Sequence, residues 1–499
     1  MKFERASGIL LHPTSLPSPY GIGDIGPEAH RWLDFLAQTG CSLWQILPLG
    51  PTGYGDSPYQ CFSAFAGNPY LVSPEALLID GLLHPDDLAD IPAFPAERVD
   101  FGALIPWKLA LLDRAHQRFI HHASNELCTA LDSFQRTQSA WLDDFALFMA
   151  LKDENRGASW VTWAEPLRDR HPQAVEQARQ RLAPAIARHV FRQFIFFRQW
   201  ERLHSHAAGW EIQIIGDIPI FVAHDSADVW ANPELFFLES DGYPSAVAGV
   251  PPDYFSPTGQ LWGNPLYRWS AHRENGYSWW LERFRAVLSL VDIVRLDHFR
   301  GFAGYWRVSG KAKTAEKGRW MRGPGKDFLQ AVRIALGDLP IIAEDLGVIT
   351  ADVTRLRDDF GLPGMKILQF AFEGTPQDPF LPHNYPKNCV VYTGTHDNDT
   401  ARGWYERINE DARHFCRRYL NSDGNQIAWD MIRACWASVA VFALAPLQDF
   451  LELGNEARMN YPGNPSGNWT WRMPEGIHLD ELCEQIKELN YLYSRLRNA

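Results

Sequence analysis

The sequence lacks an excess of basic residues, which limits the kind of partner that the chain can bind. Its 499 residues include 47 Lys and Arg against 60 Asp and Glu, a formal net charge of −13. Proteins that bind nucleic acid neutralise its phosphates with a dense Lys and Arg surface. The charge balance therefore argues against a nucleic-acid partner, and a neutral substrate is easier to reconcile with it.

The sequence also lacks long hydrophobic runs. No stretch offers the roughly 18 uninterrupted apolar residues of a membrane-spanning helix. The first residues, Met1 to Gly8, contain neither the apolar segment nor the small-residue cleavage site of a secretory signal. We therefore expect a cytoplasmic protein with no membrane partner.

Cysteine is scarce and scattered. The seven cysteines are odd in number and include no C-x-x-C pair, which argues against a disulfide framework and against a zinc site. Convincing examples of the G-x-x-x-x-G-K-[ST], H-E-x-x-H and G-x-S-x-G motifs are also absent. We expect neither a metal nor a cofactor.

One dinucleotide-type pattern does occur, because Gly21 to Gly26 matches G-x-G-x-x-G. Three prolines separate it from the preceding apolar run, and the stretch from Cys41 to Gly50 lacks the acidic residue that a dinucleotide fold requires. The segment therefore predicts a turn followed by a helix that starts at Pro27.

Tryptophan, by contrast, is abundant. The chain has 20 Trp, and aromatic residues make up 13% of it. Most of them belong in the core. Several lie instead in polar stretches rich in Gly and Pro: Tyr54, Tyr59, Tyr254, Phe255, Trp262, Trp469 and Trp471. Flat aromatic faces on such loops are suited to stacking against sugar rings.

Eight short apolar or β-branched runs recur along the chain and predict strands. They are residues 8–11, 42–47, 211–215, 291–296, 339–343, 365–370, 389–392 and 439–444. Most are followed by Gly, Pro or Asp and then by a helical pattern. Eight strands alternating with helices predict an α/β fold, a (β/α)8 TIM barrel.

The spacing of these strands is uneven. About 160 residues separate the second from the third and about 75 the third from the fourth, far more than one helical crossover needs. We expect a single catalytic barrel domain over residues 1–499, with helical and loop subdomain insertions at about 51–205 and 222–288. The first insertion is helix-rich, and its pattern predicts one helix over 172–204.

Carboxylates stand directly after four of the predicted strands. They are Asp217, Asp297, the pair Glu344 and Asp345, and Asp397. A single Asp after a strand usually caps a helix or a turn, but the C-terminal ends of barrel strands converge on the face where active sites form. Crowded carboxylates perturb each other's pKa values, as acid/base chemistry requires. The pattern fits glycoside chemistry, in which one carboxylate attacks and another protonates the leaving oxygen.

Arg295 stands two residues before Asp297 on one predicted strand, so both side chains point to the same side. The pair is either a buried structural ion pair or a device in which Arg295 keeps Asp297 ionised for nucleophilic attack. His298 and His396 are next to acids, and we expect them to contact sugar hydroxyls.

Segments spread over nearly the whole chain resemble the motifs of one family. They are Gly8-Ile-Leu-Leu-His-Pro-Thr-Ser-Leu-Pro, Gly-Asp-Ser-Pro-Tyr59, Gly216-Asp-Ile-Pro-Ile-Phe, Gly249-Val-Pro-Pro-Asp-Tyr-Phe-Ser, Trp262-Gly-Asn-Pro-Leu-Tyr, Arg295-Leu-Asp-His-Phe-Arg-Gly-Phe, Ala343-Glu-Asp-Leu-Gly and Thr395-His-Asp-Asn. In this order they resemble the amylomaltases, or disproportionating enzymes, which are 4-α-glucanotransferases of the α-amylase clan.

The resemblance implies catalytic roles for three carboxylates. Asp297 would be the nucleophile that forms a β-glucosyl-enzyme, Glu344 the general acid/base, and Asp397 the carboxylate that steadies the distorted donor sugar. Substrate-binding roles are implied for Tyr59, Asp217, Arg295 and His396 at the donor sugar, and for Tyr254, Phe255 and Trp262 in a mobile aromatic loop over the acceptor side. Pro257 departs from the family pattern, which often has an acid there.

We therefore expect a retaining enzyme that moves α-1,4-glucan segments to the 4-hydroxyl of glucose or another glucan by double displacement. Its partners would be maltooligosaccharides and glucans derived from starch or glycogen, with glucose as an acceptor. Two alternatives are an α-glucan hydrolase of the same clan and a non-catalytic glucan-binding protein. The latter would be expected to lack one of the three acids.

Overall fold

The computed structural model describes residues 3–252, 256–464, 466–474, 476–477 and 479–496. This part of the chain contains twelve β-strands: β1 (Ala6–Leu10), β2 (Leu43–Gln45), β3 (Gln213–Ile218), β4 (Ala246–Val250), β5 (Gln260–Pro265), β6 (Ile293–Leu296), β7 (Gly304–Ser309), β8 (Gly318–Arg322), β9 (Ile341–Ala343), β10 (Gly364–Ile367), β11 (Cys389–Tyr392) and β12 (Phe442–Pro446).

The same described ranges contain eighteen α-helices. They are α1 (Pro27–Thr39), α2 (Pro74–Ile79), α3 (Phe101–His122), α4 (Asn125–Glu154), α5 (Glu165–Arg168), α6 (Pro172–Arg181), α7 (Ala183–Gly209), α8 (Ala227–Ala231), α9 (Trp269–Glu274), α10 (Ser278–Leu288), α11 (Arg300–Ala303), α12 (Gly325–Leu336), α13 (Ala351–Asp359), α14 (Ala401–Arg407), α15 (Glu410–Leu420), α16 (Ile427–Ala437), α17 (Leu447–Phe450) and α18 (Leu479–Leu492).

Eight of the strands close into a parallel barrel in the order β1, β12, β11, β10, β9, β6, β3, β2. They coincide with the eight runs that the sequence predicts, so the (β/α)8 fold is confirmed. A strand of a parallel barrel is covered on both faces, and its sequence is therefore nearly all apolar. Fully buried apolar side chains pack inside the barrel, among them Leu43, Ile215, Ile293, Ile342 and Val390.

The Gly21 to Gly26 segment forms the predicted turn. Gly26 is the N-cap of α1, which begins at Pro27. Proline suits the first turn of a helix because its missing N–H would have no intrahelical partner there.

The single helix predicted over 172–204 is wrong, because α6 ends at Arg181 and α7 begins at Ala183. Pro184 occupies the first turn of α7. A proline inside a helix lacks the N–H for the i−4 bond and clashes with that carbonyl. The break at Leu182 places Pro184 where neither cost arises.

A second sheet was not predicted. Four antiparallel strands lie in the order β5, β4, β7, β8, with two of them before β6 in the chain and two after it. One face of this sheet packs through Val247, Val308 and Ala315. The sheet brings β5 beside the residues that follow β6, at the C-terminal end of the barrel.

No described helix is long and apolar enough to cross a membrane. In the same residues, no group of three or more His, Cys, Asp or Glu side chains is placed to hold a metal ion.

Candidate active site

Six of the predicted site residues gather at the C-terminal ends of four barrel strands. Strands β3, β6 and β9 are neighbours in the barrel, and β10 separates β9 from β11. Asp217 and Arg295 are paired in register on β3 and β6, Asp297 and Glu344 directly follow β6 and β9, and His396 and Asp397 follow β11 after three residues. The eight-stranded closure brings together residues that are as much as 180 positions apart in the chain.

Arg295 bridges two of the carboxylates. Its Nη1 donates to Asp217 Oδ2, and its Nη2 lies 3.0 Å from Asp297 Oδ1. Arg295 and Asp217 are buried, whereas the Asp297 side chain keeps 27% of its surface exposed. Asp297 is therefore held from one side by a cation and is partly exposed on another.

Burial raises the pKa of Asp297 above its ordinary value, the charge of Arg295 lowers it and that of Asp397 raises it further. Burial also raises the pKa of Asp217 to about 7, again against the charge of Arg295. The contact predicted between Arg295 and Asp297 is therefore present, and Arg295 limits a rise that burial would otherwise make larger.

Glu344 is oriented by backbone donors. The His298 N–H donates to its Oε2 (2.7 Å) and the Leu346 N–H donates to its Oε1 (2.9 Å). Burial, followed by the negative charge of Asp297, raises the pKa of Glu344 to about 8. A carboxyl group with this pKa is protonated at neutral pH and can act as an acid.

One of these two donors, the His298 N–H, belongs to a residue with an unusual backbone conformation. His298 has a φ of +50°, in the left-handed region that non-glycine residues seldom adopt. Such a conformation persists only where the surroundings enforce it, and it concentrates at functional sites. Burial and the charge of Arg300 lower the pKa of His298 to about 3, so its ring is neutral.

Asp397 is the most open of the three carboxylates assigned catalytic roles, with 46% of its side chain exposed. Its Oδ2 lies 3.4 Å from His396 Nε2, and its Oδ1 accepts a hydrogen bond from Asn460 Nδ2 (2.6 Å). Arg458 Nη2 donates to its backbone carbonyl (2.7 Å). Burial lowers the pKa of His396, against the charge of Asp397.

An aromatic wall stands beside these carboxylates. The rings of Tyr59 and His396 stack with centroids 5.2 Å apart at 18°, and Trp469 lies 5.7 Å from Tyr59 and 5.9 Å from His396. Tyr59 Oη donates to Asp217 Oδ2 (2.8 Å). The wall therefore ties the β2–α2 loop to the barrel carboxylates.

The aromatic loop predicted over the acceptor side is described in part. Trp262 lies on β5 with its ring edge-on to His298, 4.8 Å between centroids. This contact places Trp262 beside the turn that carries Asp297. Tyr254 and Phe255 lie outside the described residues.

Asp345, the neighbour of Glu344, belongs to the supporting structure. Its Oδ1 accepts from the Met365 N–H (2.7 Å), and Arg357 Nη1 donates to its Oδ2. Its carboxylate therefore fastens the end of β9 to β10, and Glu344 alone of this pair faces the other carboxylates.

Three residues of this site were not predicted from the sequence. Arg458 and Asn460 carried no motif, and Trp469 was noted only as a loop aromatic. They belong to the part of the chain after the last barrel strand, described over residues 455–464 and 466–469, which contacts Asp397 on the loop that follows β11. A spacing rule could not have found them, because none of the three lies on a strand.

The fold and the carboxylate cluster define the class of this protein: a (β/α)8-barrel enzyme whose site is built for glycosidic bonds. A paired Asp, a carboxyl group protonated at neutral pH and a third, open carboxylate meet at the catalytic face, next to aromatic rings.

Comparison with known proteins narrows the class. The family model for 4-alpha-glucanotransferase matches residues 11–478. A 4-alpha-glucanotransferase of Thermus thermophilus is 51% identical over 95% of this chain and 96% of its own, and one of Synechocystis sp. is 50% identical over 99% and 98%. The structure of an amylomaltase from Streptococcus agalactiae in complex with acarbose matches with a TM-score of 0.96 at 39% identity, covering 99% of this chain and 100% of that one.

The chain therefore belongs to the 4-alpha-glucanotransferase family, the amylomaltases. It is an enzyme that transfers α-1,4-glucan segments, and its substrates are α-glucans.

Proposed function

We propose that Asp297, Glu344 and Asp397 carry out a retaining double displacement. Asp297 is the nucleophile, Glu344 the general acid and then base, and Asp397 the carboxylate that holds the donor sugar in its distorted shape. The observation that carries the proposal is the contrast between the first two groups. Asp297 contacts the Arg295 cation, whereas Glu344 has a pKa near 8 and keeps its proton at neutral pH.

The strand register supports retention of configuration. Leu296 pairs with Ala343, so Asp297 and Glu344 are the next residues of two adjacent strands. Neighbouring strands lie about 4.8 Å apart. Retaining enzymes separate their two carboxyl groups by about 5–5.5 Å, while inverting enzymes need about 6.5–9.5 Å to admit a water molecule.

In the first step the Asp297 carboxylate bonds to the anomeric carbon as the bond to the leaving sugar oxygen breaks, and Glu344 gives that oxygen its proton. In the second step Glu344, now ionised, takes the proton of the acceptor 4-hydroxyl. The acceptor oxygen bonds to the anomeric carbon and Asp297 leaves as a carboxylate. Two inversions restore the α configuration.

The surrounding groups suit the donor sugar. The Tyr59 ring provides an aromatic platform, with His396 and Trp469 beside it. Asp217 Oδ1 is buried with no hydrogen-bond partner among the described residues, and we assign Asp217 to the donor site because its other oxygen accepts from Tyr59. Arg295 and His396 complete this donor-binding set.

On the acceptor side we assign Trp262, together with Tyr254 and Phe255, to binding the incoming sugar. Transfer exceeds hydrolysis only if a sugar hydroxyl reaches the intermediate before water does, and an aromatic-lined acceptor site promotes this. The acceptors are glucose and maltooligosaccharides, and the donors are maltooligosaccharides and glucans from starch or glycogen. We place this reaction in the cytoplasm, in one catalytic domain with insertions at about 51–205 and 222–288.

Incubation of the purified enzyme with maltotriose tests this function. We expect glucose together with a ladder of longer maltooligosaccharides and little rise in total reducing ends, because each transfer breaks one glycosidic bond and forms another. The products are separated over time by chromatography. Shorter sugars alone, with a steady rise in reducing ends, would identify a hydrolase instead.

The pH profile provides a second prediction. Activity should fall above about pH 8, because Glu344 then loses the proton that it must donate, and it should fall in acid, because Asp297 becomes protonated. The Arg295 charge lowers the pKa of both carboxyl groups. Arg295→Met should therefore move both limbs of the bell-shaped kcat/KM profile to higher pH, in addition to lowering its maximum.

Arg300→Met is the matched control for this profile. Arg300 lies five residues further along, and its guanidinium contacts the Val348 carbonyl and the ring of Trp320. Its replacement should leave both limbs where they are. An unchanged profile in Arg295→Met would contradict the electrostatic role of Arg295.

A further inference from the structure

The described residues 455–464 and 466–469, here called the 455–469 strap, contact Asp397 at two points on the loop that follows β11. Asn460 Nδ2 donates to the carboxylate (Oδ1, 2.6 Å), and Arg458 Nη2 donates to the backbone carbonyl (2.7 Å). One contact fixes the side chain and the other fixes the main chain.

We propose that Asn460 is a positioning residue for catalysis, which holds the Asp397 carboxylate in the rotamer that faces the donor sugar. The inference rests on the proposed function, since it assumes that Asp397 contacts the donor. It adds a residue that acts on the reaction through Asp397 and without contact to the reacting atoms.

The need for such a residue follows from where Asp397 lies. Its side chain is 46% exposed and sits on the loop after β11, so packing alone does not select its rotamer. Asn460 occupies Oδ1, while Oδ2 remains beside His396 Nε2 at 3.4 Å. One oxygen is therefore anchored, and the other is left to meet the substrate.

An amide suits this task better than a cation. A Lys or Arg at this position would neutralise Asp397 and weaken its attraction for the positive charge that develops on the donor sugar. The amide N–H of Asn460 donates a hydrogen bond without a full charge and does not titrate.

Asn460 is itself held in place. Arg458 Nε donates to the Asn460 carbonyl (2.7 Å) while the same guanidinium donates to the Asp397 carbonyl. The guanidinium also lies over the ring of Tyr461, 4.4 Å from its centroid, and Tyr461 Oη donates to Asn455 Oδ1 (2.7 Å). These contacts fix the distance between the 455–469 strap and Asp397.

The strap also carries Trp469, which joins the aromatic wall. The Trp469 N–H donates to the Met459 carbonyl (2.7 Å), next to Asn460 in the chain. The same segment therefore contacts the Asp397 carboxylate through Asn460 and contributes a ring to the aromatic wall through Trp469.

A variant that replaces the Asn460 amide by a titratable carboxyl group tests the inference. Asn460→Asp places a second carboxyl group against Asp397, and two carboxyl groups this close keep one shared proton up to a higher pH than an isolated carboxyl group does. At pH 5.5 the shared proton replaces the amide hydrogen, and the carboxylate stays in place. At pH 8 the pair is ionised and repels, so the ratio of variant to wild-type kcat should fall by about tenfold or more between these pH values.

The other groups that face Asp397 are the same in both proteins. His396 lies beside Oδ2, Arg458 contacts the carbonyl, the charge of Asp297 interacts with that of Asp397, and Tyr59 is a neutral phenol whose pKa the charge of Asp397 raises. Arg295 acts on Asp297 and His396 from β6. Because these groups are common to both proteins, any pH dependence that they cause cancels in the ratio of variant to wild type, which therefore isolates the new pair.

Asn460→Ala measures how much the hydrogen bond from Asn460 to Asp397 contributes to kcat. It should lower kcat by about 10- to 100-fold, the range expected for one hydrogen bond to a charged group, with a small change in KM. Tyr461→Phe is the matched control, because it loosens the same strap by removing the bond to Asn455 and leaves the bond to Asp397. Its ratio to wild type should not change with pH.

The outcomes separate this inference from the proposed function. Near-normal activity in Asp397→Ala would contradict the proposed function itself. An inactive Asp397→Ala together with a pH-independent ratio for Asn460→Asp, or with wild-type kcat in Asn460→Ala, would overturn only the role of Asn460. Circular dichroism checks that each variant is folded, and Asn460→Asp keeps the inference testable if the alanine variant does not fold.

Discussion

Asp297→Asn is expected to lower glucan transfer by about 10⁴-fold or more, because a neutral amide cannot attack the anomeric carbon. The variant should still fold. The new amide keeps the size of the carboxyl group, and its oxygen can still accept a hydrogen bond from Arg295 Nη2, now 3.0 Å from Asp297 Oδ1. Activity is measured as glucose release from maltotriose, and folding by the thermal unfolding temperature.

The control for this variant is Asp292→Asn, on the same stretch of chain but at the opposite end of the barrel. The Asp292 carboxylate accepts from the Ile214 N–H (2.8 Å) and contacts His204. At the N-terminal end of the strands such a contact supports stability, not catalysis. Asp292→Asn should therefore lower the unfolding temperature and keep kcat. Near-normal transfer by Asp297→Asn would contradict the assignment of the nucleophile.

The barrel could be predicted from the sequence because its strands are buried on both faces. Runs such as 389–392 then contain only apolar and aromatic residues and end at a Gly or Thr turn, which identifies them without reference to the rest of the chain. The boundary of the last strand was less well predicted. The run begins at Val439, but this residue is half exposed in the turn after α16, and β12 spans Phe442–Pro446.

The antiparallel sheet could not be predicted in the same way. β8 contains Gly318, two arginines and a tryptophan, and its burial pattern is mostly exposed. Such a strand has no hydrophobic periodicity of its own and forms because β7 is beside it. The sheet joins β4 and β5, which precede β6 in the chain, to β7 and β8, which follow it, so the spacing of residues gave no indication of a sheet.

The carboxylates of the site were found because barrel geometry assigns a place to any residue that follows a strand. The ion pairs and pKa shifts of these carboxylates could be assigned only from the three-dimensional structure. The sequence suggested that Arg295 serves Asp297, whereas the structure has it bridging Asp217 and Asp297 together. Asn460 could not be predicted from the sequence at all, because it reaches the site from a distant loop and no local sequence pattern marks such a residue.

Glu344→Gln is expected to lower transfer from maltotriose by about 10²- to 10⁴-fold, the usual contribution of general acid–base catalysis. The loss should depend on the leaving group. With α-maltosyl fluoride as donor, fluoride departs without a proton, so the first step proceeds and the glycosyl-enzyme accumulates. Added azide should then restore turnover, because it is already an anion and needs no base.

The configuration of the azide product distinguishes the two roles. In Glu344→Gln, azide attacks the β-linked glycosyl-enzyme from the opposite face as the bond to Asp297 breaks, so the product is α-maltosyl azide. In Asp297→Ala, azide takes the space of the missing carboxylate and displaces fluoride directly, so the product is the β-anomer. Asp345→Asn, one residue from Glu344 and bonded to β10, should not respond to azide. An exchange of the two product configurations would show that nucleophile and acid/base had been assigned to the wrong carboxylates, because each configuration records which face of the sugar the missing group occupied.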